Sequence, residues 1–193
     1  MPQPDRIQVS PPVIEAPEAD CWLHPDVVVR PSPIAGRGLF ARAAIPAGTV
    51  VSRLGGRLVP EAELRRLIAT TDGYVDTIAV TEELHLVLPP RRDRRRDNGY
   101  GNHGCAPNLW WVGPYALAAR REIAAGEELT NDYATSTGDP GFTMPCRCGA
   151  TECRGTVTGE DWRLPQLQER YGGHWVPVLL ARIRAHGGNR AAG

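Results

Sequence analysis

"NHGCAPN" occupies residues 102–108, and "CRCGATEC" occupies residues 146–153. The second stretch spaces its thiols as Cys146-x-Cys148-x4-Cys153, with Gly149 inside. Three thiols this close can wrap one cation if the backbone turns sharply, and glycine permits such a turn. Zinc in a closed structural site takes four ligands. Only Cys21 and Cys105 remain to complete the set. Cys21 lies among N-terminal prolines, whereas Cys105 stands beside Asn102 and His103, so the reading assigns Cys105 as the fourth ligand. One Zn2+ then joins two distant stretches of chain.

The bulk properties agree with a metal rather than a disulfide scaffold. Five cysteines is an odd count, and the chain reads as a reducing-compartment, cytoplasmic protein. No signal peptide and no apolar run of about 18 residues is present, so no membrane partner is expected. The 193 residues suffice for one domain of ordinary size, and 22 basic residues balance 22 acidic ones. Net charge therefore gives no argument for nucleic acid. Every basic residue is arginine; the bias toward Arg, Ala, Gly and Pro points to a GC-rich bacterial genome.

Along the chain, prolines in 1–24 predict a flexible or extended leader. From Val27, short β-branched runs broken by Gly and Pro predict short strands and tight turns, with "PAG" at 46–48 as one turn. "PEAELRRLI" at 60–68 predicts a short helix with Leu64, Leu67 and Ile68 on one face. "ELHLVL" at 83–88 reads as a strand, and 109–123 as a hairpin turning at Gly113-Pro114, with Trp110 and Trp111 as strand packing. After the cysteines, two short helices split by Gly172-Gly173 dock through Leu179, Leu180 and Ile183, and 188–193 forms a loose tail. Regularly alternating long helices are absent, which excludes a parallel α/β sheet and leaves a mainly β fold.

Four motifs stand in order: "AGRGLFA" (35–41), "NHGCAPN" (102–108), "AGEELTNDYA" (125–134) and "CRCGATECRG" (146–155). Over about 26–160 this resembles SET-domain protein lysine methyltransferases with a post-SET zinc motif. The resemblance implies a mainly β, β-clip fold of short sheets around a pseudoknot, with C-terminal helices beyond it. It divides the chain into a leader (1–24), a SET domain (25–138), a post-SET zinc segment (139–160), a C-terminal helical segment (161–187) and a tail. It implies S-adenosylmethionine as methyl donor and a protein substrate with an exposed lysine. Gly36, Arg37 and Gly38 would meet the methionine part of the donor. Asn102 and His103 would bind its adenine end, Tyr100 would lie beside it, and Trp162 would cover the adenine. Tyr133 would be the active-site tyrosine, and Cys105, Cys146, Cys148 and Cys153 match the zinc ligands. The chain departs from the family at Gly104, where serine is common.

Two rival readings belong to other classes. One is a catalytically silent, zinc-containing interaction module. The other rests on "RRDRRRD" at 91–97: the run from Arg91 to Arg96 could grip phosphates without reading sequence, although a solvated loop is the simpler account. Tyr74 and Tyr115 are read first as core residues and second as lining for a lysine channel.

Overall fold

The computed structural model describes residues 14–72, 75–89 and 96–190. Its strands are short: β1 (Trp22–Leu23), β2 (Val27–Pro31), β3 (Arg37–Ala41), β4 (Val50–Arg53), β5 (Arg57–Pro60), β6 (Thr77–Ala79), β7 (Leu84–Val87), β8 (Asn102–His103), β9 (Leu109–Trp111), β10 (Ala116–Ala119), β11 (Glu128–Asn131), β12 (Thr143–Pro145) and β13 (Thr156–Thr158). Three helices accompany them: α1 (Glu61–Thr70), α2 (Pro165–Tyr171) and α3 (Pro177–Arg190). The sheets run β1-β4-β10-β9, β2-β3-β11-β8, β5-β7-β6 and β12-β13. Glycines punctuate them as the sequence requires. Gly48 (φ +80°) closes the 46–48 turn, and Gly113 (φ +74°) closes the β9–β10 hairpin.

The crossing that places the site is the pairing of β8 with β11. These two-residue ladders are parallel, Thr130 opposite Asn102 and Asn131 opposite His103, while every neighbouring pair is antiparallel. Asn108 locks the crossing from below. Its Nδ2 donates to Glu127 Oε1 and to the Glu128 carbonyl, both at 2.8 Å, and its Oδ1 accepts from Thr130 N–H at 2.9 Å.

Two hydrophobic clusters flank the crossing. One gathers Val27, Leu39, Ile45, Val51, Leu109, Ile123 and Leu129 between the first two sheets. The other gathers Leu86, Trp111, Trp162, Leu167, Tyr171, Trp175 and Leu179, so α2 and α3 are part of the core. Each fully buried aliphatic or aromatic side chain there contributes roughly 1.5–3 kcal/mol. Leu179 is fully buried, and Leu180 and Ile183 pack at its edge. Gly172 adopts φ +52° between the two helices, where the sequence placed its break.

Three expectations need correction. The leader is docked from its second half: Trp22–Leu23 pairs with β4, and the Glu18 carbonyl accepts from Gly56 N–H at 2.8 Å. Gly55 has no Cβ because the Asp20 carbonyl would lie 2.2 Å from it. α3 runs through Arg190, so the tail does not begin at 188. In α1 only Leu64 is buried and Ile68 is 55 % exposed, because the helix touches the paired strands β5 and β7 along a narrow stripe. Tyr74, residues 1–13 and most of the arginine run lie outside the described residues.

Candidate active site

The four cysteines predicted to meet do meet. The Sγ atoms of Cys105, Cys146, Cys148 and Cys153 all lie within 4.8 Å of one another. Cys105 and Cys146 sulfurs are 3.7 Å apart, and all four thiols are free of disulfides. The donor set is that of a closed zinc centre. Gly149 takes φ +70°, which reverses the chain between Cys148 and Cys153. Burial alone would raise the Cys148 thiol. Backbone donors at Cys105 and Ala150 and the adjoining thiols outweigh it and bring Cys148 to about 7. A thiolate is the form that ligates metal. Cys21 stands apart: its sulfur exchanges hydrogen bonds with the Gly55 backbone, and burial pushes its thiol up.

Beside this cluster opens a cavity of about 300 Å³, lined by Ile34, Ala35, Asn102, His103, Tyr133, Met144, Pro145 and Arg147. Two of its walls come from β8 and from the 3-10 turn Tyr133–Thr135. A third comes from β12 and from Arg147, which stands between Cys146 and Cys148. The cysteine-bearing segment therefore supplies one side of the cavity.

Asn102 does more than line it. Its Nδ2 shares two hydrogens among the Ala35 carbonyl (3.3 Å), the Arg37 carbonyl (3.1 Å), Ser32 Oγ (3.0 Å) and Glu128 Oε1 (2.7 Å). It thus pins the glycine-rich turn to the crossing. Gly36 takes φ +48° in that turn. Gly38 is buried where a Cβ would lie 2.0 Å from Glu128 Oε1, so any side chain there would displace that carboxylate from its bonds to Ser32 and Asn102. Arg37 is exposed; its guanidinium lies over the Tyr100 ring at 5.9 Å and reaches the Val29 carbonyl. These three residues and Tyr100 flank the cavity without lining it.

His103 is 3 % exposed. Its Nδ1 accepts from Tyr133 N–H at 3.2 Å, which puts the ring proton on Nε2, 3.3 Å from Cys105 Sγ. Burial holds its pKa below the ordinary histidine value, so the ring is neutral. Tyr133 is half-buried, and its hydroxyl donates to the Gly101 carbonyl at 2.9 Å. The departure at Gly104 also has a cause. A Cβ there would meet Thr130 Oγ1 at 2.8 Å, so Thr130 takes the space that a serine would need.

Trp162 is not brought to the cavity. It is 2 % exposed, packed among Leu167 and Tyr171, with its ring edge against His186 at 5.2 Å. The residues over the cavity are instead Met144, Pro145 and Arg147. Tyr115 is also elsewhere, its hydroxyl on the Glu15 carbonyl at 2.9 Å. Trp111 is buried in the core, and Trp110 stacks on His174 at 3.5 Å. Of the arginine run, Arg96 is engaged with the Pro89 carbonyl and Asp20.

Four functional candidates escaped the sequence reading: Glu128, Asp132, Arg147 and Arg154. Asp132 is fully buried and takes both arms of the Arg154 guanidinium, at 2.7 and 2.6 Å, plus the Tyr171 hydroxyl at 2.9 Å. Burial alone would lower the Arg154 pKa; the Asp132 and Asp161 carboxylates more than reverse it. Each of these four lies within or next to a quoted motif, which was the available signal.

Comparison with known proteins agrees with this geometry. The chain is 34 % identical over 162 residues to the histone-lysine N-methyltransferase ash1 of Drosophila melanogaster, covering 77 % of this chain and 7 % of that protein. It is 29 % identical over 136 residues to an H3 lysine-36 specific histone-lysine N-methyltransferase of Schizosaccharomyces pombe, covering 65 % of this chain and 16 % of that one. The chain thus spans a small part of the curated relatives it matches. The methyltransferase domain of human SETMAR superposes with a TM-score of 0.52 at 24 % identity, over 69 % of this chain and 57 % of that one, a likeness of fold. No helix among the described residues is long and apolar enough to cross a membrane. Residues 36–134, half of the chain, match the SET domain, and the chain belongs to the SET domain family.

Proposed function

We propose that this chain transfers a methyl group from S-adenosylmethionine to the side-chain amine of a lysine in a protein substrate. The observation that carries the reading is the meeting of Asn102, His103 and Tyr133 on one cavity beside four converging thiols. The cavity has the size of a small-ligand site. Its walls offer few polar groups, among them the Asn102, His103 and Tyr133 side chains. The relatives named as histone-lysine N-methyltransferases support the same chemistry.

The donor supplies an electrophilic methyl on a sulfonium. Everything else falls to the chain. A lysine attacks only as the free amine, and its ordinary pKa is about 10.4. The sulfonium charge of the bound donor and a desolvated approach both disfavour a second cation beside it. No general base is required once the amine is neutral. Alignment remains, and positioning of this kind can be worth roughly 7–11 kcal/mol at best. Because the Tyr133 proton is committed to the Gly101 carbonyl, the phenol oxygen presents lone pairs to the reacting centre. The Gly36–Gly38 turn holds the methionine end, Asn102 and His103 bind the adenine end, and Met144, Pro145 and Arg147 close over it. Cys105, Cys146, Cys148 and Cys153 hold one zinc, which fixes that cover in place. Residues 139–160 act as a post-SET segment in this reading.

The test is direct. Purified protein is titrated with S-adenosylhomocysteine by calorimetry, then incubated with isotope-labelled donor, core histones and a lysate of the source cell. Label on lysine of a protein is expected. Donor binding without label on any protein would leave only the silent interaction module. Absence of donor binding would overturn the reading.

A further inference from the structure

Two routes run from one sulfur to two consecutive amides. In the first, His103 Nε2 faces Cys105 Sγ and His103 Nδ1 accepts from Tyr133 N–H. In the second, Arg154 N–H donates to the same sulfur at 3.4 Å. The Arg154 guanidinium grips both oxygens of Asp132, and Asp132 Oδ1 accepts from Ala134 N–H at 3.0 Å. That last bond caps the 3-10 turn bearing Tyr133.

The second route is rigid for a physical reason. Asp132 is fully buried, and the Arg154 side chain is only 14 % exposed. Arg154 Nε also donates to Asp161 Oδ2 at 3.1 Å, and Tyr171 donates to Asp132 Oδ2. Both carboxylate oxygens carry two donors, so the group has no alternative rotamer of equal satisfaction. A guanidinium fork fits this bidentate geometry, whereas an ammonium is a point donor. Arg154 follows Cys153 directly, so its backbone is placed by the metal segment and its side chain reaches the catalytic turn.

We infer that Arg154 is a positioning residue for Tyr133, transmitting closure of the four-cysteine centre to the turn that carries the tyrosine. The inference rests on the reading of Tyr133 as the active-site tyrosine. It assigns Asp132 to the same task, as the group through which Arg154 acts.

The experiment compares zinc-loaded wild type, zinc-loaded Arg154→Lys, and wild type stripped with a chelator. Hydrogen exchange is read at amides 133 and 134, zinc content by mass spectrometry, and folding by thermal melting. Arg154→Lys is expected to keep one zinc per chain and its affinity for S-adenosylhomocysteine within about threefold, while amide 134 exchanges at least about tenfold faster. kcat is expected to fall at least about tenfold, with KM for the lysine substrate within about threefold. Stripping the metal is expected to speed exchange at both amides. Unchanged exchange and unchanged kcat in Arg154→Lys would overturn the inference, as would losses that merely track lost zinc. Should Arg154→Lys fail to fold, Asp132→Asn keeps the volume and loses the ionic fork. Faster exchange at amide 134 in that variant supports the inference, and wild-type exchange overturns it. If the wild type binds no donor at all, the proposed function fails, while the exchange data still decide whether Arg154 orders the turn.

Discussion

The sulfurs of Cys105 and Cys146 stand 3.7 Å apart, on stretches separated by 41 residues of sequence. With zinc–sulfur bonds of about 2.3 Å, a regular tetrahedron has edges of about 3.8 Å. The protein therefore holds this pair at ligand spacing. One zinc per chain is expected by mass spectrometry of native protein. Changing Cys105, Cys146, Cys148 or Cys153 to serine is expected to drop the stoichiometry well below one. The same changes should open residues 143–158 to protease while the cluster around Leu109 and Leu129 stays protected. Full metal content in Cys105→Ser would contradict the assignment.

Tyr133 is expected to act on kcat and not on donor binding. Phenylalanine preserves the ring, which packs edge-on to His103 at 5.4 Å. It removes the oxygen that the proposed mechanism sets at the reacting centre. Tyr133→Phe should lower kcat by about 10²-fold or more and leave S-adenosylhomocysteine affinity within about threefold. Because the lysine must lose a proton before attack, the logarithm of kcat/KM in the wild type should rise with pH at unit slope toward the pKa of the free lysine, about 10.4. A pH-independent rate over the neutral range would contradict this requirement.

The sequence exposed the site more fully than it exposed the elements that brace it. The cysteines, Asn102, His103 and Tyr133 were legible because each sits in a spaced motif whose chemistry needs that residue type. Trp162 was misplaced because an aromatic after a cysteine cluster has two destinations, the cavity or the core. Only the packing of α2 and α3 decides between them, and here it takes Trp162 into the cluster with Leu167 and Tyr171. The docked half of the leader was hidden for a related reason. Proline-rich composition signals extended chain, but it does not say whether a neighbouring strand edge, here β4, receives it. Asp132 and Arg154 were invisible as a pair because their meeting depends on how the cysteine-bearing segment folds back.

The placement of Trp162 separates cover from core experimentally. Trp162→Ala removes a fully buried indole and should cost about 3–5 kcal/mol of stability, with little change in donor affinity for the protein that remains folded. Met144→Ala and Arg147→Ala should do the reverse: near-normal melting, and weaker S-adenosylhomocysteine binding by calorimetry. Lost affinity in Trp162→Phe at unchanged melting temperature would return the tryptophan to the cavity.

The chain contains no lysine, so lysine self-labelling is impossible. Intact-mass spectrometry after incubation with donor alone should show no lysine adduct; any added methyl must map to the N-terminal amine or another residue. Lysine label on an impurity of different mass would identify a substrate and leave this expectation intact.

The crossing below the cavity has its own acid limit, set by Glu127. Burial alone would raise its carboxyl. Donors from Arg121, Asn108 and the Ala124 amide outweigh burial and hold it below the ordinary value of 4.5. A depressed carboxyl stabilises the fold fully above its unfolded value, and the contribution is lost as pH falls through the lower folded value. Melting temperature should therefore fall below about pH 4.5 in the wild type, and that limb should be shallower in Glu127→Gln. Asn108→Ala is the harsher change, since it strands Thr130 N–H and the Glu128 carbonyl in the interior. It should cost about 1–3 kcal/mol for each group left without a partner, read by denaturant unfolding at neutral pH. Because the crossing carries both Asn102 and the approach to Tyr133, Asn108→Ala should also weaken S-adenosylhomocysteine binding. Wild-type donor affinity in a strongly destabilised Asn108→Ala protein would show that the cavity does not depend on this lock.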